Sequence, residues 1–520
     1  MDLSGSVFLI SSDGQMLSLP IPSDSPNDPL GWSSRKRMLA FASVMLYDVV
    51  GVAAIQAPTF MYGAFDHDAA LAERSLFRIE VLVSAPMLML GIGAFLWVPL
   101  SLAIGRRPVF LLCTLMTFIS TISAALAQNF YQLLAAMCVQ GLAASSILSL
   151  LLCIVIDMTF IHERPQAIAM FWGLGGSLTL LVLSIIPQIK VVDTDWRSFY
   201  WIWSMASLAS FVMTLFCFPE TFFLRPPVAW DGRIVVQSGS EKVRIYDDWD
   251  AVPGEQALPN PPDKHWFKRF IQRIKVWSGR SEWKAMWACY PQVILCLCNP
   301  LVFWVMLLNA VNFAGMVSIG ESFVYVLAAK PYNFPPWAVA LVNLAAAVGS
   351  FLVWPAAGIM IQNITRHLTR RNGGVRHAEY YLPAFVLPVL AGAAGNLLFG
   401  LTAQYHLHWI LIYISYALKS FSFVALGAAN VLWVTESFPQ WSAAALVCVG
   451  GFSYIVSFSM SFVLPLWIKS QGYAWENIQL AIMILVVGGV GVPVAFWGKN
   501  VRQYLDGRWG EYQAGALRPQ

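Results

Sequence analysis

Long apolar runs constrain this chain more than any other feature of its sequence. Each is about twenty residues or more, the length at which an α-helix crosses the hydrocarbon core of a bilayer. They lie near 39–62, 81–104, 108–127, 131–156, 166–188 and 199–218, and again near 298–326, 337–361, 382–403, 409–434, 441–467 and 477–497. A polar stretch at 219–290 separates the two sets, so the expected order is six spans, a long loop and six spans. Only 12% of the 520 residues are charged, about half the share of a soluble domain, so lipid has to cover what water cannot. The 22 Trp residues agree, because indole rings favour the membrane interface.

Basic residues set the expected orientation, since cytoplasmic loops retain Lys and Arg. Arg35, Lys36 and Arg37 precede the first run, and Arg106 and Arg107 follow the second. The central stretch is Lys- and Arg-rich from Arg225 to Lys284. Arg366, Arg370, Arg371 and Arg376 follow the eighth run, and Lys499, Arg502 and Arg508 the last. The alternate loops are poor in such residues. Both termini are thus expected in the cytoplasm. The expected domains are a tail 1–38, a bundle 39–218, a cytoplasmic loop 219–290, a bundle 291–498 and a tail 499–520. Within the loop, Trp266, Phe270, Ile274 and Trp277 recur at helical spacing among Lys268, Arg269, Arg273 and Lys275. That pattern suits a basic amphipathic helix on an anionic leaflet or on the protein itself.

Other function classes find little support. The net charge of +4 is not gathered into a stripe that would bind nucleic acid. The eight Cys lie singly, mostly within apolar runs, which suggests neither a metal site nor disulfides. The first 35 residues are polar and turn-rich, unlike a cleavable signal. No G-x-S-x-G, P-loop or H-E-x-x-H occurs, so neither an enzyme nor a bound cofactor is expected.

Short motifs lie in a set order: DPLGW (Asp28 to Trp32), WVPLSLAIGRRPV (Trp97 to Val109), VQG (Val139 to Gly141), DMTFIHER (Asp157 to Arg164), DWRSFYWIW (Asp195 to Trp203), PETFFLR (Pro219 to Arg225), RRNGGVRHAE (Arg370 to Glu379) and TESFP (Thr435 to Pro439). Together they resemble the major facilitator superfamily, specifically the twelve-span, fungal drug:proton antiporter-like branch. The resemblance implies an all-α integral membrane fold of twelve transmembrane helices in two six-helix bundles. It also implies alternating access around a midplane site and export of a small organic molecule such as a drug, toxin or secondary metabolite. Gly105, Arg106, Arg107, Asp157, Glu163 and Arg164 become candidates for loop contacts that stabilise one access state. Two features depart from the branch. Met137 stands where R-x-x-Q-G would carry its coupling Arg, and the fifth run has no Gly-Pro dipeptide. These departures leave proton coupling by that route without its usual residue; if a proton gradient drives transport, Asp48 is the candidate carrier.

A charge at mid-membrane costs at least about 2.5–3.5 kcal/mol, so each one marks a functional candidate. Asp48, Glu321 and Lys419 lie within spans. Asp48 and Lys419 come to similar depths, where they could pair, with Lys419 facing the central cavity and attracting an anionic or carbonyl-bearing cargo. Gln56, Gln140, Asn309, Asn312 and Asn430 complete the cavity candidates. Asn309 and Asn312 are three apart, on neighbouring parts of one helix face. The alternatives are an importer of a nutrient, siderophore or polyamine, and a transporter-like sensor or scaffold. The expected partners are the lipid bilayer and a small organic substrate, for a monomer at the plasma membrane.

Overall fold

The computed structural model describes residues 6–8, 19–20, 22, 27–68, 79, 81–186, 195–223 and 281–509. Its first half contributes six helices long and apolar enough to cross a bilayer: α1 (Ser34–Phe60), α2 (Val81–Ile104), α3 (Arg106–Ala125), α4 (Phe130–Asp157), α5 (Arg164–Ile185) and α6 (Trp196–Cys217). The second half contributes α7 (Pro300–Ala328), α8 (Pro336–Arg371), α9 (Ala378–Tyr405), α10 (Ile410–Ser437) and a last helical run, Ser442–Leu505. That run is interrupted at Gly472, where φ is +79°, a conformation that glycine alone adopts freely. It therefore supplies two spans, α11 (442–471) and α12 (473–505), and the fold has the expected twelve. The freed N–H of Tyr473 donates to Gln404 Oε1 of α9 at 3.1 Å, which fixes the corner.

Short polar caps set several helix starts. Asn129, Asp195 and Asn299 each accept a backbone N–H with a side-chain oxygen, opening α4, α6 and α7. At the head of α1, Asp28 caps a short turn at Pro29–Gly31, and Lys36 Nζ sits 3.9 Å over the Trp32 ring. Two spans lose regular winding midway. In α4 a 3-10 turn occupies Ser145–Leu148. In α8 a wider turn covers Val353–Gly358, around Pro355, which lacks an N–H to donate.

Some boundaries differ from the sequence expectation. The basic cluster Arg35–Arg37 lies inside the first turn of α1, and Arg366, Arg370 and Arg371 ride on α8 itself. The helix Trp283–Cys298 begins inside the stretch expected to be loop. The expected basic amphipathic helix near 265–280 lies outside the described residues.

We call the side on which α1 begins and α12 ends the base. Helices α1–α6 and α7–α12 form the two bundles, which meet chiefly where α2 packs on α11 and α5 packs on α8 and α10. Glycines permit the closest approach. A Cβ at Gly91 of α2 would stand 2.7 Å from the Gly451 carbonyl of α11. One small strand pair departs from the all-α design: Ser6–Phe8 runs antiparallel to Val375–His377, with Val7 opposite Arg376.

Candidate functional site

A cavity of about 30 Å³ lies between the bundles, enough for about a water molecule and far below the roughly 300 Å³ of a small-ligand pocket. Leu148 and Leu152 of α4 and Trp172 of α5 line one side, and Asn309, Phe423, Asn430 and Tyr454 line the other. The irregular stretch of α4 borders it, and non-helical backbone at membrane depth is tolerated where it lines a cavity. Asn430 Nδ2 donates to Asn309 Oδ1 at 3.1 Å, and Asn309 Nδ2 donates to Ser453 Oγ at 3.0 Å. Two expected cavity residues are therefore at the site and bonded to each other.

Asp48 of α1 lies against α5 within the N-terminal bundle and is not among the residues that line the cavity. Its carboxylate occupies the space that a side chain at Gly175 of α5 would fill, one turn along from Trp172. It is 7% exposed and has no hydrogen bond or ion pair among the described residues.

Lys419 is placed differently from the expectation. It is fully buried inside the C-terminal bundle, where Nζ donates to Asn312 Oδ1 at 2.9 Å. Its Cβ abuts Gly395 of α9, and Glu476 of α12 is the acidic group within its electrostatic reach. No ion pair joins it to Asp48, and it does not line the cavity. The similar depths of Asp48 and Lys419 did not bring them together, because their side chains enter different bundles. Asn312 follows Lys419, accepting also from Ser422 Oγ at 3.1 Å. Three residues advance a helix by about 300°, so Asn309 and Asn312 diverge by about 60° and serve different neighbours.

Gln140 is likewise outside the cavity, donating to Thr121 Oγ1 of α3 at 3.0 Å within the N-terminal bundle. Gln56 stands at the far end of α1, also off the cavity wall. Glu476 was not anticipated, because it lies at the polar edge of the last run, where a carboxylate reads as a loop residue. Ser318 Oγ of α7 donates to it at 2.7 Å.

The loop candidates assemble at the base. Gly105 holds φ +100° between α2 and α3, so two spans are joined by one residue. Arg106 Nε meets Asp157 Oδ2 at 3.3 Å, and Arg106 Nη1 donates to Ser101 Oγ at 2.5 Å. Arg107 Nη2 donates to the Leu215 carbonyl at 3.0 Å. The backbone N–H groups of Arg106 and Arg107 donate to the Glu220 carboxylate, 3.0 Å and 3.2 Å away at closest. A carboxylate at a helix N-terminus also complements the helix dipole. Burial pushes the Glu220 carboxyl above its ordinary value, against the pull of these N–H groups and that of Phe222. All of these contacts stay within the N-terminal bundle.

Arg164 crosses between bundles. Its Nη1 lies 3.2 Å from Glu436 Oε1 at the end of α10, and Arg376 Nη2 lies 3.4 Å from the same oxygen. Arg376 Nη1 returns to the N-terminal half by donating to the Ile161 carbonyl at 3.3 Å. This cluster fastens the base. Glu163 does not join it, being half-exposed and 4.0 Å from His162. Glu220, Glu436 and Arg376 were visible as members of motifs. Their partners were not, because the contacts link distant segments.

The comparisons with known proteins agree with this architecture. The family model described as Major Facilitator Superfamily matches residues 39–446. An uncharacterised MFS-type transporter of Schizosaccharomyces pombe is 23% identical over 95% of this chain and 90% of its own length. The efflux pump vrtL of Penicillium aethiopicum is 22% identical over 93% of this chain and 89% of its own. Among solved structures, the proton:xylose symporter XylE matches with a TM-score of 0.58 at 14% identity, covering 89% of this chain and 95% of that one. That likeness is one of fold.

Proposed function

Because the chain belongs to the Major Facilitator Superfamily and is thus a membrane transporter, we propose that it exports a small organic molecule by alternating access. The observation that carries this reading is the cavity between two bundles, with an ion-pair cluster fastening one end of the interface. Rocking of one bundle against the other about a central site would open the two faces in turn. The outward direction draws support from relatives whose names describe efflux, such as vrtL.

The base is assigned to the cytoplasm, on the strength of the basic residues gathered there. The protein is read as a plasma-membrane monomer with both termini inside, without catalytic activity of its own. A proton gradient is the proposed drive, and Met137 leaves the carrier to groups other than an Arg at that position.

Untargeted mass spectrometry of cells and medium, with and without the gene, tests direction whatever the cargo is. Export predicts compounds that leave the medium and build up in cells when the gene is deleted. The reverse pattern identifies an importer. No change in either compartment supports a sensor or scaffold.

A further inference from the structure

We propose that the N-terminal tail is a clasp that holds the two bundles together at the base and has to let go before the base can open. The inference rests on the transport reading only in taking the base as a face that opens.

The tail belongs covalently to the N-terminal bundle, since the chain runs from it into α1. Its strand Ser6–Phe8 nonetheless pairs with Val375–His377, which lies between α8 and α9 of the C-terminal bundle. Farther along, the Leu19 carbonyl accepts from the N–H of Ile161 at 2.7 Å, in the connection between α4 and α5. The Leu19 side chain is buried there. The tail is thus anchored once on each bundle.

Both anchors fall on one bridge between the bundles. Arg376, opposite Val7 in the strand pair, donates from Nη1 to the Ile161 carbonyl at 3.3 Å. Ile161 is also the residue whose N–H meets Leu19. The strand pair fixes the backbone of Arg376, whose guanidinium reaches Glu436 and lies 4.6 Å over the Tyr381 ring. Moving the bundles apart at the base would part Ile161 from Arg376 and pull on the tail held between them. Contacts made in one state and lost in the other favour the first by their own free energy. Pairing within one chain needs no encounter between molecules, so a short strand can act as a clasp. An extended segment added to a strand is held by main-chain hydrogen bonds, and its release disturbs no helix.

Distances between spin labels at the base ends of α5 and α10, measured on the full chain in phosphatidylcholine nanodiscs, test the clasp. In an antiparallel pair the N–H groups of alternate residues face the partner. Ser6→Pro combined with Val7→Pro therefore removes a donor in either phase. Leu19→Ala loosens the other anchor. Each variant is expected to raise the population with a separated base at least about threefold, within the worth of one net hydrogen bond. Val7→Thr keeps a strand-forming residue and should match the parent. Amide exchange at Val375–His377 should quicken in the proline variant, reporting loss of the pair. Distance distributions identical to the parent in either variant overturn the proposal, and so does unchanged exchange. Flux in proteoliposomes separates this idea from the transport reading. Tail variants that separate the base without any solute flux defeat transport alone, and flux through a protein whose base ignores the tail defeats only the clasp.

Discussion

Lys419 Nζ donates to Asn312 Oδ1 across 2.9 Å, and this bond ties α10 to α7 inside the C-terminal bundle. The bond assigns the mid-membrane lysine to the bundle's interior, away from the cavity lining. Lys419→Met removes it and deprives Glu476 of the positive charge within its reach. The expected loss is about 1.5–3 kcal/mol, the value of a hydrogen bond to a charged group. A lower melting temperature in detergent would register it. Solute flux in proteoliposomes should remain, because the ammonium does not line the cavity. A variant of unchanged stability that lost flux would place Lys419 at the site after all.

Glu436 holds two guanidinium groups at once, Arg164 Nη1 at 3.2 Å and Arg376 Nη2 at 3.4 Å. Glu436→Gln leaves both cations buried and facing each other. Breaking a buried pair in this way costs about 3–5 kcal/mol, and opening the base would relieve that cost. Spin labels at the base ends of α5 and α10 should report a longer, broader distance distribution in the variant. A distribution identical to that of the parent protein would show that the cluster does not fasten the base.

The approach of α2 to α11 depends on two glycines. A Cβ at Gly451 would lie 2.8 Å from the Gly91 carbonyl and 2.8 Å from Phe95. Gly451→Val should therefore prop the bundles apart and slow transport more than binding. In proteoliposomes, solute flux is expected to fall by about tenfold or more, equivalent to about 1.4 kcal/mol, with each bundle still folded. Wild-type flux would mean that the two helices need not come this close during the cycle.

At the corner between α11 and α12, Gly472 combines φ +79° with a close carboxamide: a Cβ there would lie 2.6 Å from Gln404 Oε1. Gly472→Ala should cost about 1–3 kcal/mol from the positive-φ extended backbone alone. Displacement of Gln404 adds to it, since that side chain caps Tyr473. Thermal unfolding followed by fluorescence should show the loss, and Gln404→Ala should show a smaller one. Equal stability of Gly472→Ala and the parent would mean that the corner can be made with another backbone conformation.

Much of this molecule is written in runs and short motifs. The spans of the first half appear within a few residues of where the apolar stretches place them, because lipid allows an apolar helix few alternatives. Gly105, Arg106 and Asp157 were legible as candidates for loop contacts, but which acid each arginine would meet was not. The last two spans were read as separate, and the structure separates them at Gly472.

The two buried charges show where sequence reading stops. Composition and hydropathy placed Asp48 and Lys419 at similar depths in the membrane, and depth follows from counting residues along a helix. Which way each side chain points depends on helix rotation and on its neighbours. Gly175 of α5 leaves room for the Asp48 carboxylate, and Asn312 of α7 supplies an acceptor to Lys419. Those neighbours are remote in sequence and meet only when the bundles pack. The sequence by itself determined twelve spans, their order and the basic loops, since a bilayer imposes these on any segment of such composition. Only the tertiary structure decided that Asp48 lies against Gly175 of α5 and Lys419 in the core of the C-terminal bundle, because the neighbours of buried charges are chosen by three-dimensional contact.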